Sequence, residues 1–341
     1  MQAVILEAFG DPENLKPHEV PTPVPGRGDI LVKVQAAGVC HHDVLHRAGK
    51  LPGAKVGEVL GHETAGEVVA LGPEVLTHRL GDRVVVFQRR FCNTCRNCLR
   101  GRQDLCRAAG IPGIDTVGGY CEYVCVPAAM GIHVPSGVSW QAAALACCPI
   151  GTSVRALRGV AACNPGDTVL ITGASGGLGV HQLQLVRAFG GRSIAITSNP
   201  HKTDFLKSAG ADHVVVAKDL NFSAEVWRLT EKRGVDIALE NLGSTLGESL
   251  RCLAGGGIAV VMGNLDGEPI PISPGLLISR RLRVQGSGMA PPEEVRHALA
   301  LIAAGVVKPV ISATVKFPEV SKAHRMLDER SVEGRVMLEG W

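Results

Sequence analysis

The stretch GVCHHDVLHRAG at 38–49 crowds Cys40, His41, His42, Asp43 and His46 together. Each of these side chains can bind a metal ion or carry a proton, and the stretch alone does not say which of them does. Further on, GHE at 61–63 brings His62 and Glu63, and ACCPIGTSVRAL at 146–157 brings Cys147 and Cys148. A catalytic zinc takes three protein ligands and keeps a fourth position for water or a substrate oxygen. Cys40, His62 and one of the two adjacent cysteines would make such a set. Each also has a plainer explanation, because a free cysteine is most often a small buried apolar residue. Spacing chooses neither between these readings nor between Cys147 and Cys148.

A second cluster is more specific. RRFCNTCRNCLRGRQDLC at 89–106 sets Cys92, Cys95, Cys98 and Cys106 as C-x2-C-x2-C-x7-C. Such spacing lets one loop wrap four thiolates around a tetrahedral ion, and four sulfurs leave no position open for a substrate. Inert thiols and an iron–sulfur site are the alternatives. Structural zinc is the reading adopted, with the ion fixing a lobe that has little core of its own. Arg89, Arg90, Arg96, Arg100, Arg102 and Arg107 then form a solvated surface around it.

The third feature is TVLITGASGGLGVHQLQLVRAFG at 168–190, which reads as strand, glycine turn and helix. Gly173 permits a tight turn, Gly176 and Gly177 let the backbone approach a pyrophosphate, and Gly179 allows the helix to pack closely on the strand. Ser175 and Leu178 complete the turn, which is one residue longer than G-x-G-x-x-G. The second strand ends in SIAITSNPHK at 193–202. NAD enzymes usually place Asp or Glu there to hold the ribose hydroxyls; this chain has Thr197, Ser198 and Asn199. No carboxylate repels a 2′-phosphate, and His201 or Lys202 can attract one. NADP(H) is therefore favoured over NAD(H).

These features need elements to hold them. A chain of 341 residues with 45% hydrophobic and 20% charged residues fits two compact domains and argues against disorder. The formal charge of +3 and the lack of a basic run argue against nucleic-acid binding. No apolar run reaches membrane-spanning length and the start does not read as a signal peptide, so a cytoplasmic location is expected. Eleven cysteines are then thiols or metal ligands rather than disulfides. The first third carries short β-type runs, ILVKVQAAG at 30–38, TAGEVVALG at 64–72 and DRVVVF at 82–87, separated by turn formers, the texture of a barrel-like β unit. From Asp167 onward strands alternate with helix-length segments: TVLITG, a helix from Gly177 to Phe189, SIAIT, a helix over His201 to Ala209, HVVV, DIALEN, a helix over Leu246 to Leu253, and GIAVVMG. That alternation implies a parallel sheet covered on both faces. RLRVQGS at 281–287 is the expected last strand, and the remainder, with a helix near Glu293 to Ala304, is expected to return to the first domain.

GVCHHD, GHE, the four-cysteine segment and GASGGLG, in this order and at these distances, resemble the zinc-containing medium-chain dehydrogenase/reductase family, alcohol dehydrogenase type. The resemblance spans essentially the whole chain. It implies an α/β protein with a GroES-like β-rich catalytic domain (1–149 and 289–341, with the structural zinc lobe at 89–107). It further implies a Rossmann domain with a doubly wound parallel sheet (150–288) that binds NADP(H), with the active site in the cleft between the two. Carried over residue by residue, it implies catalytic zinc ligands Cys40, His62 and Cys148, with Glu63 as an alternate ligand or close carboxylate. Cys148 is preferred to Cys147 because it stands four positions before Thr152, as the family cysteine stands before its threonine. Asp43 matches the acid that orients the histidine ligand, His41 a position that meets the cofactor pyrophosphate, and Thr152 a cofactor contact.

The sequence departs from the family at the proton relay. A Ser or Thr two residues after the cysteine, and a histidine three residues further on, usually carry the proton outward. Here those positions are His42 and Leu45, and His46 falls one residue late. His42 either takes over the proton, since imidazole donates and accepts near neutral pH, or crowds the zinc or lines the pocket. The C-terminal half, notably GASGGLGVHQ, MGNLD and AAGVVKPVI, is also similar to archaeal acryloyl-CoA reductases, which lack the relay hydroxyl. The expectation is thus a zinc-dependent oxidoreductase with two zinc ions per subunit. It moves hydride between NADP(H) and an alcohol, aldehyde or ketone, and NADPH-dependent enoyl-thioester reduction is the alternative. A non-enzymatic NADPH sensor is a more distant rival, because such proteins usually lose the catalytic ligands. The family further implies a homodimer or homotetramer acting on a small-molecule substrate, without nucleic-acid or membrane partners.

Overall fold

The computed structural model describes residues 1–108, 110, 113 and 117–341. It divides into two units: Met1–Gly151 with Met289–Gly305 and Ile311–Trp341, and Thr152–Gly288 with Val306–Val310. Among the described residues no helix is long and apolar enough to cross a membrane.

The first unit opens with strands β1 (Gln2–Leu6) and β2 (Leu15–Glu19), paired antiparallel. The long strand β3 (Asp29–Val39) follows, then helix α1 (His41–Arg47), β4 (Glu63–Leu71), β5 (Arg83–Val86), β6 (Tyr123–Pro127), β7 (Gly131–His133) and helix α2 (Trp140–Ala144). β3 lies at the middle of the main sheet, pairing with β4 and β6. Its β-branched and aliphatic residues are buried in succession rather than alternately, as expected of a strand covered on both sides. At the irregularity where β4 crosses β3, a β-carbon on Gly66 would lie 2.1 Å from the Lys33 carbonyl oxygen, so only glycine fits that approach.

The second unit contains the short helix α3 (Thr152–Val154), β8 (Thr168–Ile171), α4 (Gly179–Ala188), β9 (Arg192–Thr197), α5 (Thr203–Ser208) and β10 (His213–Val216). It continues with α6 (Ser223–Leu229), β11 (Val235–Glu240), α7 (Leu246–Cys252), β12 (Leu253–Val261), α8 (Pro274–Arg280) and β13 (Arg283–Gly286). All six strands run parallel in the order β10-β9-β8-β11-β12-β13. This is the 3-2-1-4-5-6 order of a doubly wound Rossmann sheet, in which the order of strand addition reverses between β8 and β11. Leu170, Ile194, Ile196, Val215 and Ala238 form its core with Phe222, Val226 and Leu250; each large aliphatic side chain buried there contributes about 1.5–3 kcal/mol.

The chain then returns to the first unit. Helix α9 (Pro292–Ala303), strand β14 (Ile311–Val315), helix α10 (Val320–Asp328) and strand β15 (Arg335–Leu338) follow. β14 pairs with β15, and β15 pairs antiparallel with β3, so the last strand closes the sheet beside one of the first. α10 buries Val320, Ala323, His324 and Leu327, the i, i+3, i+4, i+7 stripe of an amphipathic helix.

The strand runs and helices expected from sequence lie within a few residues of the observed ones. β1, β2, β6, β7, β14 and β15 and helices α1, α2, α3, α6, α8 and α10 are not among the elements expected from sequence. The observed units differ from the sequence-based division in two places: Ile150 and Gly151 cluster with the first unit, and a later segment moves to the second. Val306–Val310 clusters with the second unit, because Gln184 exchanges two hydrogen bonds with the Lys308 backbone (2.9 and 2.7 Å) and the Val310 amide donates to His181 Nε2 at 3.0 Å.

Candidate metal centres and cofactor turn

Helix α1 begins at the residue after Cys40, which sits at the N-cap in extended conformation. Asp43, three positions on, reaches back so that its Oδ2 accepts the Cys40 amide at 3.0 Å, satisfying a donor that the helix start would otherwise leave unpaired. The same oxygen accepts the Tyr120 hydroxyl at 3.0 Å, and Oδ1 lies 3.0 Å from His62 Nδ1. With Nδ1 turned to the carboxylate, His62 presents Nε2 to its other neighbours. Burial by itself would push the His62 imidazole down, but the Asp43 carboxylate overrides it and holds the group well above its usual range.

Cys40 Sγ stands 4.0 Å from Cys148 Sγ. Cys148 belongs to a wide π-helical turn over Ala146–Gly151 that contains Pro149. The Cys147 thiol, one residue earlier, instead points at the Val86 carbonyl oxygen, 3.6 Å away, and burial pushes it up. A hydrogen bond from Cys148 pulls Cys40 well below the ordinary thiol range. Ligand atoms of Cys40, His62, Glu63 and Cys148 all lie within 4.8 Å of one another. Glu63 is fully buried, and burial raises its carboxyl to about 7. Arg335 Nη2 is 2.8 Å from its Oε1, yet among the described residues neither carboxylate oxygen has a well-directed hydrogen bond; the contact is chiefly electrostatic. On β3, a β-carbon at Gly38 would come within 2.0 Å of Glu63 Oε2, so the glycine leaves the carboxylate its room.

These distances test the fit to zinc. Two thiolates, each about 2.3 Å from a tetrahedral zinc, lie about 3.8 Å apart. The 4.0 Å separation of Cys40 and Cys148 matches, and the undirected Glu63 oxygens are what an ion could satisfy. The lobe fits as well. Its sulfur separations are 3.9 Å for Cys92–Cys98, 3.5 Å for Cys95–Cys98, 4.0 Å for Cys95–Cys106 and 3.6 Å for Cys92–Cys106. The Cys95 amide donates to Cys92 Sγ at 3.3 Å and the Cys92 amide to Cys106 Sγ at 3.4 Å. Hydrogen bonds from the Thr94 side chain and from the Thr94 and Cys95 amides pull Cys92 down to about 5. None of the eleven cysteines forms a disulfide.

His42 is half-buried, its ring nearly perpendicular to His62 with centroids 5.4 Å apart, and burial lowers it. His41, also partly buried, is lowered by burial too. His46 turns the other way, fully buried with Nε2 3.6 Å from Glu58. Two participants carried no signal in the motifs: Tyr120, one of two tyrosines in the chain, and Arg335, a cation heading the fully buried strand β15.

In the second unit, the turn after β8 follows the glycine pattern. Gly173 has φ +55 and a β-carbon there would meet Leu242 Cδ2 at 2.9 Å; one at Gly179 would lie 2.5 Å from the Ala174 backbone. The Gly176 amide donates to the Gly173 carbonyl at 3.0 Å. Ser175, Gly177 and Leu178 lie in the same turn, half-buried, and Thr152 is buried in α3. After β9, Thr197 Oγ1 accepts the Asn199 amide at 3.1 Å and Asn199 Oδ1 accepts the His201 amide at 3.0 Å. The side chains of Thr197 and Asn199 are thus engaged in their own turn, while Ser198 is exposed and Lys202 partly so.

A β-rich unit with two clusters of side chains able to hold a metal, one of four thiols and one of thiols, imidazole and carboxyl, in one chain with a Rossmann sheet, is the arrangement of a zinc-type dehydrogenase. Residues 26–136 match the alcohol dehydrogenase GroES-like domain and residues 177–304 the zinc-binding dehydrogenase domain. The chain is 32% identical over 340 residues to an acryloyl-coenzyme A reductase of Metallosphaera sedula, covering 99% of each. It is 34% identical over 349 residues to an NAD-dependent alcohol dehydrogenase of Saccharolobus solfataricus, again over 99% of each. Among solved structures it superposes on the crystal structure of AibC with a TM-score of 0.94 at 41% identity, covering 100% of this chain and 96% of that one. The chain belongs to the zinc-containing medium-chain dehydrogenase/reductase family of oxidoreductases.

Proposed function

We propose that the chain is a zinc-dependent oxidoreductase that moves hydride between NADP(H) and an alcohol, aldehyde or ketone. It would act on small molecules in the cytoplasm as a homodimer or homotetramer. The observation that carries this reading is the convergence of Cys40 and Cys148 sulfurs, 4.0 Å apart, with His62 and Glu63. Cys40, His62 and Cys148 would hold the ion, with Glu63 able to join them, and Cys92, Cys95, Cys98 and Cys106 would hold a second. A zinc bound there supplies a Lewis acid for a substrate oxygen, and the nicotinamide supplies or takes the hydride. Asp43 keeps His62 turned with Nε2 toward the ligand set. His42, edge-on to His62, is the group placed to give or take the proton at a ring nitrogen. NADP(H) is favoured because the turn after β9 offers Thr197, Ser198 and Asn199 and no carboxylate.

A second reading, reduction of an enoyl thioester, is supported by one feature of α1. The helix presents His42 and Leu45 and no hydroxyl after Cys40, and a proton delivered to carbon rather than to oxygen has less need of one. The likeness to the acryloyl-coenzyme A reductase points the same way. The test is cofactor oxidation by purified protein with aldehydes, ketones and enoyl-CoAs, using NADPH and NADH in parallel. Turnover of aldehydes or ketones with NADPH supports the first reading; turnover of acryloyl- or crotonyl-CoA alone replaces it with the second. Replacing Cys148 by Ala should remove one zinc per chain; unchanged metal content would show that the wrong cysteine was chosen.

A further inference from the structure

We infer that Glu240, at the end of β11, is a positioning residue for the dinucleotide turn, an inference that rests on reading residues 173–179 as the cofactor site. Glu240 is completely buried, and no cation approaches it among the described residues. Five donors converge on it instead. Its Oε1 accepts the Thr172 hydroxyl at 3.1 Å, the Leu242 amide at 3.2 Å, the Gly243 amide at 2.9 Å and the Thr245 hydroxyl at 2.6 Å. Its Oε2 accepts the Ser249 hydroxyl at 2.5 Å. A carboxylate buried in this way is stabilised by its hydrogen bonds alone, so their geometry is closely fixed.

What they fix is the floor under the glycine turn. Thr172 is the residue immediately before Gly173. Its hydroxyl oxygen also accepts the Asn241 amide at 3.0 Å, and its carbonyl accepts Asn241 Nδ2 at 2.8 Å. Asn241 exchanges amide hydrogen bonds with Gln182 of α4, at 3.0 and 2.8 Å. Leu242, whose amide Glu240 holds, fills the space a β-carbon on Gly173 would need. The end of β12 is seated on the same loop: a β-carbon at Gly263 would come within 1.9 Å of the Asn241 carbonyl oxygen. Glu240 therefore sets the loop against which the turns after β8 and β12 both rest. It touches no reacting atom; it acts through Thr172 and Leu242.

The four-donor oxygen and the one-donor oxygen predict different outcomes for different substitutions. Glutamine keeps an acceptor toward Thr172, Leu242, Gly243 and Thr245 and turns its amino group to Ser249, whose hydroxyl can rotate to accept. Glu240→Gln should therefore leave the NADPH dissociation constant, read by cofactor fluorescence, within about threefold of wild type. Glu240→Ala should weaken it by about tenfold or more, with a smaller change in kcat at saturating cofactor. Thr172→Val cuts the tether between Glu240 and the end of β8, together with the hydroxyl's bond from the Asn241 amide, and should repeat the loss. Ser249→Ala loses a donor that does not reach the turn, and should lower the melting temperature without moving the dissociation constant. Should Glu240→Ala fail to fold, the Thr172→Val and Ser249→Ala pair decides alone. Wild-type affinity in Thr172→Val, or equal loss in both, would overturn the positioning role. Failure of wild type to bind either NADPH or NADH would instead overturn the reading of the turn itself.

Discussion

Asp43 Oδ1 stands 3.0 Å from His62 Nδ1, and this contact decides which nitrogen of the imidazole is left to face Cys40 and Cys148. Carboxylates in that place fix the tautomer and raise the basicity of a ligand histidine. Asp43→Asn should therefore lower zinc affinity at this centre by roughly tenfold to a hundredfold, measured by chelator competition. Tyr120→Phe, which removes one of the donors to the other oxygen, should give a smaller loss in the same assay. An unchanged affinity in Asp43→Asn would mean that His62 is not a ligand.

The four-cysteine lobe has few buried side chains beyond Cys98 and Cys106, so its order should depend on an ion. Cys98→Ser is expected to reduce bound zinc by one per chain, read by atomic emission. It should also raise protease sensitivity within 89–107 while leaving nicotinamide cofactor binding as in the wild type. Full zinc content in that variant would exclude the four-sulfur site.

Glu63 and Arg335 are both almost wholly buried, with side-chain exposures of 0% and 6%. Removing one partner of such a pair leaves an uncompensated charge and costs on the order of 3–5 kcal/mol. Arg335→Met should accordingly destabilise the first unit severely in urea unfolding. Adding Glu63→Gln should recover most of the loss, since two neutral groups of similar shape need no counter-ion. Non-recovery in the double variant would locate the cost in packing rather than charge.

His324 lies inside α10, fully buried, with neither ring nitrogen hydrogen-bonded among the described residues. Burial pushes it down to about 4. Between that value and its ordinary one near 6.5, the unfolded chain binds the proton and the folded chain does not. Stability is therefore complete above about pH 6.5 and falls as pH drops toward 4, with a loss of about 2 kcal/mol at pH 5 from this residue. His324→Leu should flatten that part of the profile, seen as a smaller shift of the urea midpoint between pH 7 and pH 5. An identical shift in the variant would assign the acid sensitivity to other groups.

The doubly wound sheet was legible because its strands are continuous apolar runs separated by helix-length segments, and each glycine of the turn answers a local steric demand. The first unit was harder to read. Its β1, β2, β14 and β15 are short and are defined by partners far away in sequence. The same holds for the site. Cys40, His62 and Glu63 stand in motifs, whereas Tyr120 reaches Asp43 from 77 positions away and Arg335 reaches Glu63 from the far end of the chain. Cys147 and Cys148 are equivalent as letters; only the wide turn around Pro149 sends one thiol to a carbonyl and the other to Cys40.

Met337 pairs with Gly38 across roughly 300 residues, and this has a consequence for how the protein is made. At about 5–20 residues per second, a ribosome needs on the order of 15–60 s to travel between the two strands. The sheet from β8 to β13 is uninterrupted and can close during that interval. β3 waits with an open edge, and Glu63 waits without its arginine. The unit synthesised first is thus the last to be completed, and nascent chains halted before β15 should expose that edge to chaperones.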